Sequence, residues 1–413
     1  MTNQPVSIAQ EPWQTTNLKR LGSFYGGLSG KSKEHFGSGR AQYVPFVNVM
    51  ANLRIDPNAL EQVDVADNEY QNPVRFGDLL FNGSSETPEE VGLCSVIDFE
   101  PGKLFLNSFC FGFRPFSLDH FDGVFFAYLF RSSIGRQIMV GLAQGSTRYN
   151  LSKPKLLAAE LLVPSVQEQR SIAALLTDVD LEIDSLDALI AKKRNIKQGA
   201  MQKLWSQSQS WNQIEVHQVL LDHFSGPSPT CEERNIRGSE WGVLRTTCTT
   251  WEYGWNWKSH KVLPPSYWGQ ESRKVRVGDT IITKAGPRHR VGVSSFVDFV
   301  PDNIVPSGKM IALRPNPSLI HPLFLSLALK EHSSQAYLNE RTTGMAESQV
   351  NFENRALLGT LIKVPSLGEQ MRIAEVSTNI DAEIKALVAL REKTALIKIG
   401  MMQELLTGRT RLL

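Results

Sequence analysis

Apolar residues recur at alternating spacings of three and four along two stretches of the chain, residues 163–205 and 364–406. The first carries Ile172, Leu176, Val179, Ile183, Leu186 and Ile190, and the second Ile373, Val376, Ile380, Ile384 and Leu387. That spacing predicts an amphipathic helix with a near-heptad seam, which needs a partner helix. Some 40 residues at helical rise make a rod of about 60 Å. The two rods are most simply each other's partners. Each opens on a start signal, Ser165-Val-Gln-Glu168 and Ser366-Leu-Gly-Glu369. Both spell a capping box, in which the serine oxygen accepts from the N3 amide and the glutamate reaches back to the N-cap amide. The stretches align without a gap 201 residues apart, with about half of the positions identical. So long a period lies outside solenoid and propeller repeats, and points to a duplicated domain-plus-helix unit.

Between the rods the pattern changes to short apolar runs bounded by Gly, Pro, Asn or Asp, as strands usually are. In the first half, strands are expected over 43–50, 76–81 and 104–113, with helix over 121–130 and on to 140. Residues 21–40 read as an exposed Gly/Ser loop, and 145–163 as a polar turn leading into a strand that feeds the first rod. The second half repeats the plan with strands over 242–247, 280–283, 291–300 and 309–313, then a helix over 322–338. Phe76-Gly77-Asp78 matches Val277-Gly278-Asp279, and Phe113-Arg114-Pro115 matches Leu313-Arg314-Pro315, at nearly the period of the rods. The expected fold is therefore α+β. Two globular heads alternate with two long helices packed as an antiparallel coiled coil, pseudo-two-fold symmetric. The boundaries are residues 1–162 for the first head (a polar tail over 1–12), 163–208 for its helix, 209–363 for the second head, and 364–413 for the second helix and tail.

Length and composition add little to this picture. A chain of 413 residues with 41% hydrophobic positions can bury proper cores. No apolar run is long enough to span a membrane, and the N-terminus lacks the apolar core of a signal peptide. Cys94, Cys110, Cys231 and Cys248 show no CxxC pairing, which favours reduced cytoplasmic thiols over zinc or disulfides. A net charge of +2 neither demands nor excludes nucleic acid, since a basic face can hide in a balanced total. Antiparallel rods would carry the chain from one head to the other and back, presenting two nearly equivalent helical surfaces to two copies of one partner. Two unlike readers at a fixed separation suit a long ligand with two different sites, duplex DNA above all.

The chain resembles the DNA specificity subunits of type I restriction–modification systems. The resemblance rests on Val-Pro-Ser followed by Glu168-Gln169 and by Glu369-Gln370, on the run Gly400-Met-Met-Gln-Glu-Leu-Leu-Thr-Gly408-Arg-Thr-Arg-Leu412, and on Gly-Asp opening a strand in each head. It covers essentially the whole chain. It implies that each head is a target recognition domain reading one half of a split, asymmetric site in double-stranded DNA. The paired helices would set the gap and hold two methyltransferase subunits, with restriction subunits joining the larger complex. S-adenosylmethionine, ATP and Mg would then sit on those partners, with none bound by this chain. The setting would be the cytoplasm of a bacterium or archaeon. One departure is that the first rod ends in Leu204-Trp205-Ser206-Gln207, without the Leu-Leu-Thr-Gly-Arg of the second.

Candidate chemistry divides by whether the heads share it. Two readers of different half-sites should differ where they touch bases, so the shared Gly-Asp pairs read as turns that start a strand. The bets on DNA contact fall where the heads diverge. In the first head they are Lys31, Lys33, Arg40, Asn82, Ser84, Ser85, Arg148 and Tyr149; in the second, Trp255 and Lys258 within the aromatic-basic stretch 251–258, with Thr283, Lys284, Arg288, His289 and Arg290. Arg and Lys can donate to guanine or phosphate, Asn to adenine, and Ser or Thr to either. Enzymatic motifs are absent: no Asn-Pro-Pro-Tyr-like tetrad, no glycine fingerprint, no GxxxxGK[ST] and no HExxH. Asp381-Ala-Glu383-Ile-Lys385 imitates a nuclease acid pair, but lies inside a rod with no strand to present a metal. No catalytic or metal-ligating residue is assigned. Two other readings remain: the recognition subunit of another methyltransferase–nuclease system, and a coiled-coil scaffold whose heads bind proteins.

Overall fold

The computed structural model describes residues 12–206, 208–251 and 254–412. The expected polar tail therefore lies, but for its last residue, outside the described residues. The chain divides into two compact units, one of Met1–Ala188 with Val388–Leu413 and one of Leu189–Leu387. Each unit holds one head and half of each long helix, Val166–Ser206 and Leu367–Leu405. Among the described residues no helix is long and apolar enough to cross a membrane.

In the first unit a four-stranded antiparallel sheet runs in the order Gly22–Gly26, Cys110–Pro115, Leu79–Asn82, Cys94–Val96. Phe36–Val44 lies between Glu61–Val63 and Leu104–Leu106 in a second sheet, antiparallel to the one and parallel to the other. Helices Gly123–Arg131 and Ser133–Leu142 pack on the first sheet through Phe81, Phe111, Phe113, Phe125, Phe126 and Phe130. The second unit repeats this: Leu220–Phe224, Met310–Pro315, Thr280–Thr283 and Ser294–Phe296 form one sheet, and Gly242–Leu244 sits between His260–Val262 and Ile304–Val305 in another. The expected α+β class with long helices holds.

Local chemistry moved several boundaries. The strand expected over 43–50 ends at Val44, because Pro45 has no amide for the ladder; Phe46–Ala51 is a helix, tied down by the Asn48 amide on the Asp56 and Ala59 carbonyls. Residues 21–40 are not a loop, since Gly22–Gly26 pairs with Cys110–Pro115 and Phe36–Val44 begins inside the stretch. The run 76–81 starts as a turn, with Gly77 at φ 80, and becomes strand at Leu79. A turn at 107–109 splits 104–113 in two, and a short helix, Lys153–Ala158, interrupts 145–163. In the second unit the strand expected over 242–247 stops at Leu244, that over 291–300 shrinks to Ser294–Phe296, and the helix over 322–338 is two helices broken at Glu331, whose carboxylate caps the Ser333 amide.

Ion pairs set the direction of the long helices. In the first unit Asp180 meets Lys398 and Asp187 meets Arg391; in the second Lys193 meets Glu383 and Lys197 meets Asp381. Numbers rise on one helix as they fall on the other, so the helices are antiparallel. Asp381, Glu383 and Lys385 each point to a different partner, Lys385 to Asp298, which leaves no assembled acid pair. Along the seam Ile172, Leu176, Leu186, Ile190, Ile373 and Ile384 are buried, and Val179, Ile183, Ile380 and Leu387 are half-buried. Val376 is not part of it: it is 41% exposed, and the buried position is the next residue, Ser377, which the gapless alignment pairs with Leu176.

The capping boxes also differ from expectation. Ser165 accepts from the Glu168 amide at 3.4 Å, but the Glu168 carboxylate turns away. It receives the Arg411 guanidinium on both oxygens at 2.7 Å and the Trp13 indole at 3.3 Å. The first rod lacks the Gly-Arg-Thr-Arg ending, and among the described residues no arginine is paired with Glu369; its amide donates to the Ser366 carbonyl at 3.0 Å. The residue that repeats its role is the glutamine. Gln169 donates to Pro164 and accepts from the Asp122 amide, as Gln370 donates to Pro365 and accepts from the His321 amide. Each ties its helix to the loop that starts a head helix.

One half-buried cation in the second unit makes a pH test. Burial pushes the Lys330 ammonium down to about 8, with Lys197 adding to the push and Asp381 opposing it. An unfolded lysine titrates near 10.4, so between these values the unfolded chain binds more protons, and stability rises with pH. Lys330→Met should abolish that rise and stabilise the unit by about 1–3 kcal/mol at pH 7. Urea denaturation at pH 7 and pH 10 checks it; an unchanged slope in the variant would refute the assignment.

Candidate nucleic-acid interface

A shared frame carries the heads. Arg114 donates Nε and Nη2 to Asp78 at 3.0 and 2.7 Å, and Arg314 does the same to Asp279 at 3.0 and 2.9 Å. Each aspartate also accepts the amide three residues back, from Arg75 and Arg276. The Gly-Asp pairs are thus structural turns, as their recurrence suggested.

On this frame several DNA candidates prove to be interior groups. Asn82, Ser84, Ser85 and Thr283 are at most 8% exposed. The Asn82 amide donates to Ser84 and Glu90 carbonyls and its oxygen accepts from the Leu93 amide; Thr283 bonds Thr249. Lys31 is consumed by Glu69, with only 6% of its side chain exposed. These corrections share a cause: polar residues in a strand or tight turn satisfy buried backbone before they meet a ligand.

What remains exposed gathers in a few places. In the first unit a small sheet joins Ala143–Gln144, Tyr149–Leu151 and Ser84–Ser85, which brings Tyr149 opposite Ser85. Its tip, residues 145–148, is exposed, and the turn needs Gly145 at φ 129, where a Cβ would meet the Arg148 carbonyl. Arg148 lies over Phe109, itself 58% exposed. Lys33 and Arg40 are exposed but belong to the sheet segment 33–44, apart from that tip. In the second unit the matching sheet is Ala285–Gly286, Gln349–Asn351 and Thr343–Ala346. Arg288 there pairs with Glu347, Lys284 donates to Asn354, and the exposed His289 offers its carbonyl to the Trp251 indole; Arg290 is half-buried. Glu252 and Tyr253 of the aromatic-basic stretch lie outside the described residues.

The heads diverge most sharply in one connection. Tyr43 pairs with Glu61 and Val243 with Lys261, so equal lengths of chain join equivalent strands. In the first unit that chain forms the helix Phe46–Ala51 and a turn that buries Ile55. In the second it forms a ribbon, Thr249–Thr250 with Gly254–Trp255, which presents Trp255, Trp257 and Lys258. The sequence named Trp255, Trp257 and Lys258 within the stretch 251–258 but not Phe299 or Lys385, which join them around a cleft of about 710 Å³.

Residues 10–193 match the model of the type I restriction modification DNA specificity domain. That stretch, less than half of the chain, is similar to this family. The type I restriction enzyme EcoEI specificity subunit of Escherichia coli is 31% identical over 165 residues, a match covering 40% of this chain and 27% of that protein. Over nearly the whole chain the likeness is one of fold. The crystal structure of a type I restriction-modification system S subunit from M. genitalium superposes with a TM-score of 0.59 at 16% identity, covering 97% of this chain and 98% of that one. A chain from a structural study of complex assembly and conformational transition of the type I R-M system gives a TM-score of 0.58 at 15% identity, covering 96% and 97%. The family match thus stops within the first long helix, and the second unit shares the fold.

Proposed function

We propose that this chain is the DNA specificity subunit of a type I restriction–modification complex. It reads a bipartite, asymmetric site in double-stranded DNA, one half with each head, and catalyses nothing itself. Two methyltransferase subunits and the restriction subunits are its partners, and S-adenosylmethionine, ATP and Mg are theirs. The observation that carries this reading is one frame used twice with different reading elements: the Arg–Asp clamp and the glutamine tie recur in both units, while equal-length connections at 45–60 and 245–260 fold differently. Binding sequence, fixing spacing and placing a partner's active site need nothing more.

The test is co-expression with the cognate methyltransferase followed by genome-wide methylation mapping. We expect one split motif with a constant gap. Replacing residues 245–260 should change one half and leave the other and the gap intact, whereas lengthening both long helices should change the gap alone. Methylation that does not depend on this chain would overturn the reading.

A further inference from the structure

The cleft of the second unit has a composition that DNA contact in general does not explain. Trp255, Trp257 and Phe299 furnish three aromatic walls, and Asn256, Lys258 and Lys385 line the rest with Asp298. It is a built site. The Trp255 indole donates to the Phe299 carbonyl at 2.6 Å, locking the ribbon to the opposite wall, and the Phe299 ring meets Trp257 edge-on at 5.2 Å. Behind the cleft His260 is 2% exposed; one ring nitrogen meets the Trp257 carbonyl and the other accepts from the Ile236 amide, which holds Trp257 in place. Phe299 stays 51% exposed, so its ring remains open at the mouth of the cleft.

The equivalent place in the first unit is filled. Phe99, at the position of Phe299, packs against a core cluster, and Asp98, at the position of Asp298, is taken by Arg54, which also reaches Thr177. The open aromatic cleft is therefore specific to the second head, in the segment where the heads diverge.

We propose that this cleft takes a single nucleobase, stacked on Trp257 with Phe299 at its edge, and with its 5′-phosphate on Lys258. Aromatic faces accept any base because every base has a π-face. The Asn256 oxygen accepts from the Lys258 amide at 3.1 Å, which leaves the side-chain NH₂ to donate to a base edge. Lys258 lies 5.6 Å from the centre of the Trp257 ring, while Lys385 is held by Asp298 at 3.4 Å, so the lining carries a net positive charge. The volume lies within the range of small-ligand sites, about 300–1,000 Å³. The base can come from an unstacked nucleotide of bound DNA or from a free nucleotide. The inference rests on the proposed DNA-reading role only for the first of these sources.

The test uses the full chain and three probes: adenosine 5′-monophosphate, a duplex with one unpaired adenine, and the same duplex fully paired. We expect the bulged duplex to bind about 10-fold or more tightly than the paired one, as stacking of one base implies. Trp257→Ala should bring that ratio to one, and Trp257→Phe should keep most of the preference. Lys258→Glu, an exposed substitution that spares the fold, should also lower it. Saturable binding of the mononucleotide, lost in Trp257→Ala, identifies a free nucleotide as a source and supports the site even if neither duplex binds, which would sink the DNA reading alone. A ratio near one in the unaltered chain together with no mononucleotide binding overturns the proposal, and paired-duplex binding would still leave the DNA reading standing.

Discussion

Arg114→Ala and Arg314→Ala should each cost about 3–5 kcal/mol, the penalty for breaking a buried pair by removing one partner. The aspartates are the reason. Asp78 and Asp279 expose 1% and 2% of their side chains, whereas their arginines are partly open at 25% and 16%. Removing the guanidinium leaves a carboxylate in the interior with an amide as neighbour, and in the first unit the Tyr25 hydroxyl at 2.7 Å. The arginine also holds carbonyls, Pro73 in one unit and Lys274 in the other, so the loss spreads to the turn before the strand. A pH series separates charge from packing. Burial already raises the Asp279 carboxyl above its ordinary value against the pull of Arg314. Without Arg314 it rises further, the folded state then binds more protons than the unfolded one, and stability falls as pH rises. Arg314→Ala should therefore recover stability between pH 7 and pH 4, and Asp279→Asn in the same background should remove that dependence. Because the chain has two units, each variant must be followed by a probe local to its own unit. A loss below about 1 kcal/mol in both variants would mean that the clamp is not a buried pair in solution.

The long helices were legible in the sequence because a period near 3.6, sustained over some 40 residues and written twice, is the mark of an amphipathic helix and of no strand or turn. Their pairing followed from needing an apolar partner. The Gly-Asp turns were legible for a related reason: recurrence in two heads that otherwise differ marks frame. The reading groups were not. Asn82 and Thr283 look like base-contacting residues by type, and only the fold shows that they spend their bonds on Glu90, Leu93 and Thr249. Glu168 carried the capping pattern, yet its partner, Arg411, stands at the far end of the chain, and no local rule finds a pair so separated. The cleft was half visible. Trp255 and Lys258 stood out by composition, whereas Phe299 and Lys385 reach it from other parts of the unit.

Introducing charge on the outer face of the long helices should strip the proposed methyltransferase subunits one at a time. Three pairs of apolar residues stay exposed at matching positions of the two helices: Leu175 and Val376, Leu189 and Leu390, Ile196 and Ile397, all 36–49% exposed. A single exposed leucine is ordinary, but the same three positions left open in both copies form a repeated surface. The division of the chain gives each unit one full set: Leu175, Leu390 and Ile397 in the first, Val376, Leu189 and Ile196 in the second. Two equivalent apolar surfaces fit two copies of one partner. Leu390→Glu with Ile397→Glu should then weaken one copy by at least about 100-fold, since buried apolar anchors at interface centres carry about 2 kcal/mol or more each. Leu189→Glu with Ile196→Glu should do the same to the other. Native mass spectrometry of co-purified complexes should read one methyltransferase per chain for either pair and none for all four changes. The chain's own melting temperature should hold within a few degrees, because none of the four side chains is buried. Retention of two copies by the fourfold variant would show that the partners grip another surface, and would leave these six residues without a role in assembly.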